Sequence, residues 1–206
     1  MVSKHNYSVI NGTDRATSGR WLGIISGFFS GFAVLVVEYS SNVFESFGLP
    51  VAIPPTVFAL CSAAIFYRGL YSIFDKHIWK CKIVQKFCTL PCLDGEWEVA
   101  GKTAPQVGGY EWVGIFKVVQ TWSKISITLK TTQSRSWSTA ATIYVEPDGK
   151  IRLLYNYTNE PRPSEPDLTQ HHGFNDVIFD PDMHDGESVY YNGRGRTTYG
   201  EMQFRK

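Results

Sequence analysis

The chain has 206 residues and a formal net charge of +1, with 43% hydrophobic and 19% charged residues. These values exclude a disordered tail and a fibrous protein, and they fit one ordinary domain with a short additional segment. Residues 1–88 hold eight Lys or Arg against four Asp or Glu, whereas residues 89–206 hold twelve against fifteen. The acidic second part argues against a nucleic-acid polymer as partner, although a few well-placed basic residues could hold one small anion.

The first long apolar segment covers residues 21–37, which contain no charged residue. A helix of that length spans about 26 Å, close to a hydrocarbon core of about 30 Å. We therefore predict a cytoplasmic tail at residues 1–20 and a transmembrane helix at residues 21–39. A cleavable signal peptide is the alternative, but it needs a small-residue cleavage site, and Glu38 follows the apolar segment instead.

A second apolar segment follows and predicts a second transmembrane helix at about residues 50–68. Three prolines, Pro50, Pro54 and Pro55, lie near its start, where the first turn of a helix tolerates proline. A buried hairpin of a soluble domain is the alternative, but such a pair would need a polar face, and neither segment has one. The pattern therefore favours a transmembrane hairpin at residues 21–68.

The charges around the two segments predict their orientation. Lys and Arg precede the first segment and follow the second, whereas the connection carries only Glu38 and Glu45. The positive-inside rule then predicts a multi-pass membrane protein with both termini in the cytoplasm. Residues 69–92 mix apolar residues with lysines, which is typical of a basic linker that lies along the inner headgroup layer.

Gly23, Gly27 and Gly31 recur every four residues in the first segment, so they share one helix face. Such a face allows two helix backbones to approach closely. Packing on the second helix of the same chain and self-association between chains both fit this pattern.

The cysteines predict neither a disulfide framework nor a metal site. All four lie in or just after the apolar region, at Cys61, Cys81, Cys88 and Cys92, and this distribution favours reduced thiols. The last two are spaced C-x3-C, but no second pair or histidine stands at zinc-finger spacing.

The remainder, residues 93–206, predicts an all-β domain. Short alternating segments rich in Trp, Tyr, Thr, Ile and Val are separated by Gly, Pro, Asn and Asp. The predicted strands are residues 95–101, 110–119, 123–132, 136–145, 150–158, 171–180, 187–192 and 196–205. Eight antiparallel strands fit an up-and-down β-barrel that could hold one small ligand, with a β-sandwich as the alternative. The G-x-W at Gly95–Trp97 is similar to the opening of lipocalin-like barrels, in which the tryptophan closes one end.

Alternation along the strands indicates which side chains share a face. The fifth strand places Leu153, Tyr155, Tyr157 and Asn159 together, the fourth Ser136, Ser138, Ala140 and Thr142, and the last Arg196, Thr198, Gly200 and Met202. If these faces point inward, they form a polar lumen. The other possibility is that they face solvent, and parity alone does not distinguish the two.

Signals of catalysis are weak. His171 and His172 are adjacent, so on a strand they point to opposite faces and cannot act as a pair. The usual hydrolase, metalloprotease and phosphate-loop motifs are missing. Asp180, Asp182 and Asp185 crowd one turn with His184, which favours a solvated acidic loop over a cation site. The sequence therefore predicts a protein that is not an enzyme and carries no cofactor or metal.

Several ordered motifs resemble a known bacterial family, the membrane effectors of cyclic-oligonucleotide-based antiphage signalling systems (CBASS). That family has two transmembrane helices followed by a β-strand-rich sensor. The motifs begin with Leu93–Trp97 and continue with Trp112-Val113-Gly114, residues 120–125, Ser134-x-Ser136-x-Ser138, residues 154–161, His172-Gly173 and residues 193–200.

The resemblance implies a function. A cognate nucleotidyltransferase (CD-NTase) makes a cyclic dinucleotide, the β-barrel binds it, and effector copies form homo-oligomers. Their helices then contact inner-membrane lipid, disrupt the bacterial inner membrane and kill the infected cell before phage matures. The family motifs add Trp122, His172 and Arg194 to the candidate ligand-binding residues Ser136, Ser138, Tyr155, Tyr157, Asn159, Arg196 and Thr198.

Two other functions remain open at this point. A membrane-anchored, lipocalin-like carrier of a hydrophobic small molecule would need an oily lumen. A membrane-anchored enzyme would need a converged set of His, Asp and Ser at the barrel mouth.

Overall fold

The computed structural model describes residues 4–12, 14–46, 55–194 and 196–206. Contacts divide the chain into two compact units, one of residues 14–81 and the other of residues 1–13 with 82–206. We call them the helical unit and the sheet unit.

The helical unit contains two long helices, α1 (Arg15–Ser46) and α2 (Pro55–Lys76), followed by a 3-10 turn at Ile78–Lys80. Asp14 caps α1, because its Oδ1 accepts a hydrogen bond from the Ala16 N–H at 3.1 Å. Of the described residues, the segment Arg15–Tyr39 is the one helical stretch long and apolar enough to cross a membrane. This agrees with the first predicted transmembrane helix, although α1 begins within the predicted tail.

The second predicted transmembrane helix is only partly described. Residues 50–54, with two of the three prolines, lie outside the described residues, and Pro55 is the first residue of α2. The helix continues beyond the predicted end at residue 68 as far as Lys76, so its last two turns lie in the segment predicted as a linker and end in the charged pair Asp75 and Lys76. Length and hydropathy alone therefore do not mark α2 as a second span.

The two helices pack through one face of α1 that carries Leu22, Ser26 and Ser30, all buried. Ser30 Oγ donates a hydrogen bond to the Ala59 carbonyl at 2.7 Å and lies 2.8 Å from Ser62 Oγ. Serine hydroxyls of this kind hold helices together where water is excluded. The three glycines of the predicted stripe lie elsewhere: a Cβ added at Gly23, Gly27 or Gly31 would meet nothing within 4 Å.

The sheet unit contains a short helix, α3 (Lys82–Phe87), and a nine-stranded sheet among the described residues. The strands are β1 (His5–Ile10), β2 (Gly95–Thr103), β3 (Glu111–Gln120), β4 (Lys124–Thr131), β5 (Ser134–Val145), β6 (Ile151–Pro161), β7 (His171–Phe179), β8 (Asp185–Asn192) and β9 (Tyr199–Arg205). From β2 to β9 each strand is antiparallel to the next, and β9 pairs with β2, so the sheet closes on itself.

The predicted count of eight strands is wrong by one, because the N-terminal segment predicted as a tail supplies β1. This strand lies between β4 and β5: His5 and Asn6 pair antiparallel with β4, and residues 7–10 pair in parallel with β5. Beyond it, β4 and β5 pair directly over only three residue pairs. The other eight strands match the predicted ones within a few residues, and the likeness to lipocalins stays a prediction.

The core of the sheet unit is apolar at the end where β2 begins and β9 ends. Trp97 packs on Phe116 and Phe179 with ring centroids 6.0 and 5.3 Å apart, and Phe204 contacts both phenylalanines. The Lys206 ammonium lies 4.7 Å from the centroid of Trp97. The tryptophan of the G-x-W motif therefore fills this end, which we call the connected end because the chain passes from it toward the helices.

Candidate functional site

A cavity of about 430 Å³ lies at the opposite end of the closed sheet, which we call the mouth. Strands β2, β4, β6 and β8 end there, and β3, β5, β7 and β9 begin there. The volume is within the usual range for small-molecule sites. Six of the predicted ligand-binding residues line this cavity: Ser136, Tyr155, Tyr157, Asn159, Arg196 and Thr198.

Tyr157 is the centre of a hydrogen-bond chain across the mouth. Its hydroxyl donates to Asn192 Oδ1 at 2.6 Å, and Asn192 Nδ2 donates to Thr198 Oγ1 at 2.7 Å. Gly173 makes this reach possible, because a Cβ there would collide with the Tyr157 ring. Burial, followed by the neighbouring Tyr155 and Tyr190, raises the pKa of Tyr157, while Arg196 opposes the rise. The hydroxyl is therefore a neutral hydrogen-bonding group at physiological pH.

Deeper in the cavity the polar groups are fully buried. Asn175 Nδ2 donates to the Tyr155 hydroxyl at 2.9 Å, and Thr103 Oγ1 lies 2.9 Å from the Tyr190 hydroxyl. Burial raises the pKa of Tyr155, and the bond from Asn175 opposes it. Asn175 Oδ1 is buried without a hydrogen-bond partner among the described residues. Unsatisfied buried oxygens are rare in proteins, so this floor can still accept a hydrogen bond from a water or a ligand.

Positive charge in the cavity comes from Arg196. It is the one Arg or Lys that lines the cavity in the described part of the chain. His171 lines it too, and its Nδ1 donates to the Thr169 carbonyl at 3.0 Å. Burial is the main cause that lowers the pKa of His171, and the charges of Arg196 and His172 lower it further. The His171 ring is therefore neutral at pH 7. Although residues 89–206 are acidic in total, Arg196 gives the cavity a local positive field.

Four of the predicted ligand-binding residues do not line the cavity. Ser138 points inward, but it accepts a hydrogen bond from the Ile127 N–H and lies 2.7 Å from His5 Nε2. Trp122 is buried in the turn between β3 and β4, at the connected end. His172 is exposed on the outer face, with Nδ1 3.1 Å from Thr158 Oγ1, and Arg194 is exposed in the loop before β9.

Strand β5 also corrects the predicted face. A β-bulge between Ser138 and Ala140 shifts the register, so Ala141 and Ile143 point inward after it. Ala140 and Thr142 therefore do not share the face of Ser136 and Ser138. A bulge inserts one residue on one strand only, and strict alternation cannot anticipate it.

Several cavity residues were missed by the sequence analysis. Trp112 contacts Tyr190 with ring centroids 6.0 Å apart, and it lies over Gly101, where a Cβ would collide with the indole. The other missed lining residues include Thr103, His171, Asn175, Tyr190 and Asn192. The motif Trp112-Val113-Gly114 was the available signal for the first of these, and alternation outward from Tyr155 across paired strands would find the rest.

A second, larger concavity of about 1000 Å³ lies mainly against the outer side of β2, β3, β8 and β9. Exposed side chains of mixed character, including Glu98, Val113, Ile115 and Glu187, line it. Among the described residues that line it, none is a buried polar side chain, in contrast to the mouth cavity. We therefore take the mouth cavity as the candidate site.

The described residues contain no group of three or more His, Cys, Asp or Glu that could hold a metal ion. In the turn of Asp180, Asp182 and His184, Asp182 Oδ1 accepts a hydrogen bond from the His184 N–H at 3.1 Å. The cysteines Cys61, Cys81, Cys88 and Cys92 are free thiols, and burial raises the pKa of Cys88.

A helical unit with a membrane-length apolar helix, joined to a closed sheet with a polar cavity, defines a membrane-associated receptor for a small polar ligand. Comparison with protein families gives this class a name. Residues 16–80 match the family model "Cap15, TM helices", and residues 88–206 match "Cap15, cyclic dinucleotide receptor domain".

The chain is also similar to CD-NTase-associated protein 15 of Yersinia aleksiciae. The two are 40% identical over 201 residues, which cover 98% of this chain and 96% of that protein. The chain therefore belongs to the Cap15 family, and the predicted resemblance to CBASS membrane effectors is confirmed.

Proposed function

We propose that this chain is a CBASS effector whose mouth cavity binds a cyclic dinucleotide. Binding promotes self-association of the membrane helices, which disrupts the bacterial inner membrane and kills the infected cell. The observation that carries the proposal is the composition of the cavity: one guanidinium at Arg196, aromatic rings and neutral hydrogen-bonding side chains in a closed sheet. The one carboxylate among the described lining residues, Glu111, is exposed and forms an ion pair with Lys102 at 3.1 Å. No catalytic step is part of this function.

Each component of the cavity suits one part of such a ligand. Guanidinium groups bind phosphate oxygens in a fork, so Arg196 is suited to a phosphodiester. The rings of Trp112, Tyr157 and Tyr190 offer faces on which bases can stack. Side-chain amides such as Asn159, whose Nδ2 donates to Ser134 Oγ at 3.0 Å, can exchange such internal bonds for bonds to base edges.

The order of the strands supports two membrane crossings. Strand β1 precedes the helical unit and β2 follows it, yet both strands belong to one closed sheet. A chain that crosses the membrane after β1 must cross again before β2. We therefore propose that α1 and α2 both cross, that both termini are cytoplasmic, and that the sheet faces the compartment in which a CD-NTase makes its product.

The glycine stripe of α1 supports self-association in the membrane. Contacts with α2 use Leu22, Ser26 and Ser30, and the space beside Gly23, Gly27 and Gly31 is open. Of the two partners considered for these glycines, a second copy of the chain is therefore favoured. The carrier alternative is weaker, because a fat-binding lumen would not place an arginine and buried amides around its ligand.

Arg196→Ala is the direct test of the ligand, with Arg194→Ala as the matched control. Both variants remove one arginine from the same loop, but only Arg196 lines the cavity. Thermal unfolding of the full chain, purified in detergent, is measured with each of cyclic di-AMP, cyclic di-GMP, cyclic GMP–AMP and cyclic UMP–AMP in turn. We expect one of these to raise Tm, and Arg196→Ala to weaken its binding roughly 10- to 100-fold, because a hydrogen bond to a charged group contributes about 1.5–3 kcal/mol. The full chain is needed because a domain that begins at Leu93 lacks β1.

Two results would contradict this part of the proposal. The first is a Tm that none of the cyclic dinucleotides changes. The second is an equal loss of binding in Arg194→Ala and Arg196→Ala, which would indicate general charge attraction and not a site.

Gly27→Leu tests self-association, with Gly69→Leu as its control. Neither Cβ meets an atom within 4 Å, so both variants should fold and bind ligand. We expect Gly27→Leu to abolish ligand-dependent killing of cells, because the added side chain separates two helices that approach through glycines. Gly69→Leu should kill as the wild type does, and undiminished killing by Gly27→Leu would rule out this face as the contact.

A further inference from the structure

Gln120 makes a hydrogen-bond cluster at the connected end, far from the mouth cavity. Its side chain is 1% exposed, and it is the last residue of β3. Its Oε1 accepts from the Leu93 N–H at 2.6 Å. Its Nε2 donates to the Tyr7 hydroxyl at 3.1 Å and to the Pro91 carbonyl at 3.2 Å. A buried amide with all its polar atoms paired is a rigid connection.

The partners of Gln120 belong to the two places where the chain passes between the sheet and the helices. Tyr7 is on β1, the strand that precedes α1, whereas Pro91 and Leu93 lie between α3 and β2, on the return from the helices. One side chain of the sheet therefore binds both the outgoing and the returning segment.

Neighbouring contacts strengthen both attachments. The single hydrogen of the Tyr7 hydroxyl is shared between the carbonyls of Thr121 and Trp122, at 3.0 and 3.2 Å. The backbone N–H of Gln120 donates to Asp94 Oδ1 at 2.8 Å. Leu90, Leu93 and Trp122 are buried in the sheet unit and keep water from these bonds. The Gln120-Thr121-Trp122 motif thus has a place in the fold that ligand binding does not explain.

Strand β1 also reaches toward the mouth. His5 Nε2 lies 2.7 Å from Ser138 Oγ on β5, two residues beyond the cavity residue Ser136. Tyr7 pairs with Ala141 on the same strand. Strand β1 therefore links β5, which lines the cavity, to the connected end. This link is additional to the contacts through the core.

We propose that Gln120 and Tyr7 form a joint that couples the ligand-binding sheet to the membrane helices. They are positioning residues: they hold both connecting segments rigidly to the sheet, so that an arrangement imposed on the sheet by ligand is imposed on α1 and α2. This proposal rests on the proposed function for its ligand. Loss of the joint should separate the two activities, leaving ligand binding intact and removing membrane damage.

The test uses Gln120→Leu and the milder Tyr7→Phe, which removes one hydroxyl and serves if the first variant does not fold. Val177→Ala, in the core at a distance from the joint, is a control for general destabilisation. Hydrogen exchange of the full chain in detergent, without ligand, is measured first. We expect exchange to rise about tenfold in residues 5–10 and residues 89–94 of Gln120→Leu, and in residues 5–10 of Tyr7→Phe, since each change removes buried hydrogen bonds that hold those segments.

The second measurement separates binding from damage. Each variant is placed in vesicles of bacterial phospholipid, and dye release is followed after addition of whichever of the four cyclic dinucleotides raises the wild-type Tm most. The joint variants should keep the wild-type shift in Tm but release dye at least about fivefold more slowly. Val177→Ala, compared at equal loss of Tm, should release dye at the wild-type rate.

Three results would overturn the joint: unchanged exchange in either segment of Gln120→Leu, undiminished dye release despite raised exchange, or an equal loss of release in Val177→Ala. If none of the cyclic dinucleotides shifts wild-type Tm, the proposed function fails by itself. Hydrogen exchange then still decides whether Gln120 holds both segments.

Discussion

The two ends of the closed sheet use the same strands for opposite purposes. At the connected end, Trp97, Phe179 and Phe204 fill the interior, and the buried amide of Gln120 has all its hydrogen bonds. At the mouth the interior is left open, and the buried Asn175 Oδ1 has no hydrogen-bond partner among the described residues. Filling one end stabilises the fold, whereas the polar atom left unpaired at the other end is available to the proposed ligand.

The largest expected effect comes from deleting an aromatic ring at each end. Phe179→Ala should lower the free energy of unfolding by about 3–5 kcal/mol, because it leaves a cavity between Trp97 and Phe204. Trp112→Ala should cost much less stability, because its ring is half-exposed at the mouth, but it should weaken cyclic dinucleotide binding by about 1–3 kcal/mol if a base stacks on it. Denaturant titrations measure the free energy of unfolding of both variants, and the shift of Tm with ligand measures their binding.

A comparison of these two variants could contradict the proposal that the connected end is core and the mouth is an open site. If Trp112→Ala were as destabilising as Phe179→Ala, the mouth would be part of the core and not an open site. Full ligand binding by Trp112→Ala would remove this ring from the candidate site and shift the stacking role to Tyr157 and Tyr190.

Local patterns in the sequence predict most of the sheet, because alternation and turn residues act over a few positions. The prediction that Leu153, Tyr155 and Tyr157 share one face is confirmed for that reason. Strand β1 was missed because its partners are remote: His5 contacts Ser138, 133 positions away, and no hairpin turn announces the pairing. Its six residues next to a membrane segment have the composition of an ordinary tail.

The candidate site was harder to predict than the strands. Parity tells which side chains share a face but not which face is inner, and His172 was placed in the site although His171 points inward. On β5 a single bulge reversed the assignment of Ala140 and Thr142. The role of Gln120 depends on three segments that meet only in the folded chain, so no pattern within one segment could indicate it.

The smallest expected effect is a pH dependence that belongs to the mouth alone. Burial lowers the pKa of His171 in the folded chain, so below its ordinary value of about 6.5 the unfolded chain binds the proton more readily. The contribution of the neutral His171 ring to the free energy of unfolding is therefore fully present above about pH 6.5 and is lost as the pH falls below that value. Tm of the wild type should fall between pH 7.5 and 5.5, and His171→Gln should make this fall smaller. His172→Gln removes the same kind of ring from the outer face, so it should keep the part of the fall that comes from His171. An equal fall in Tm in the wild type, His171→Gln and His172→Gln would show that His171 is not held neutral at the mouth. Arg196 would then not be the one positive charge of the cavity among the described residues.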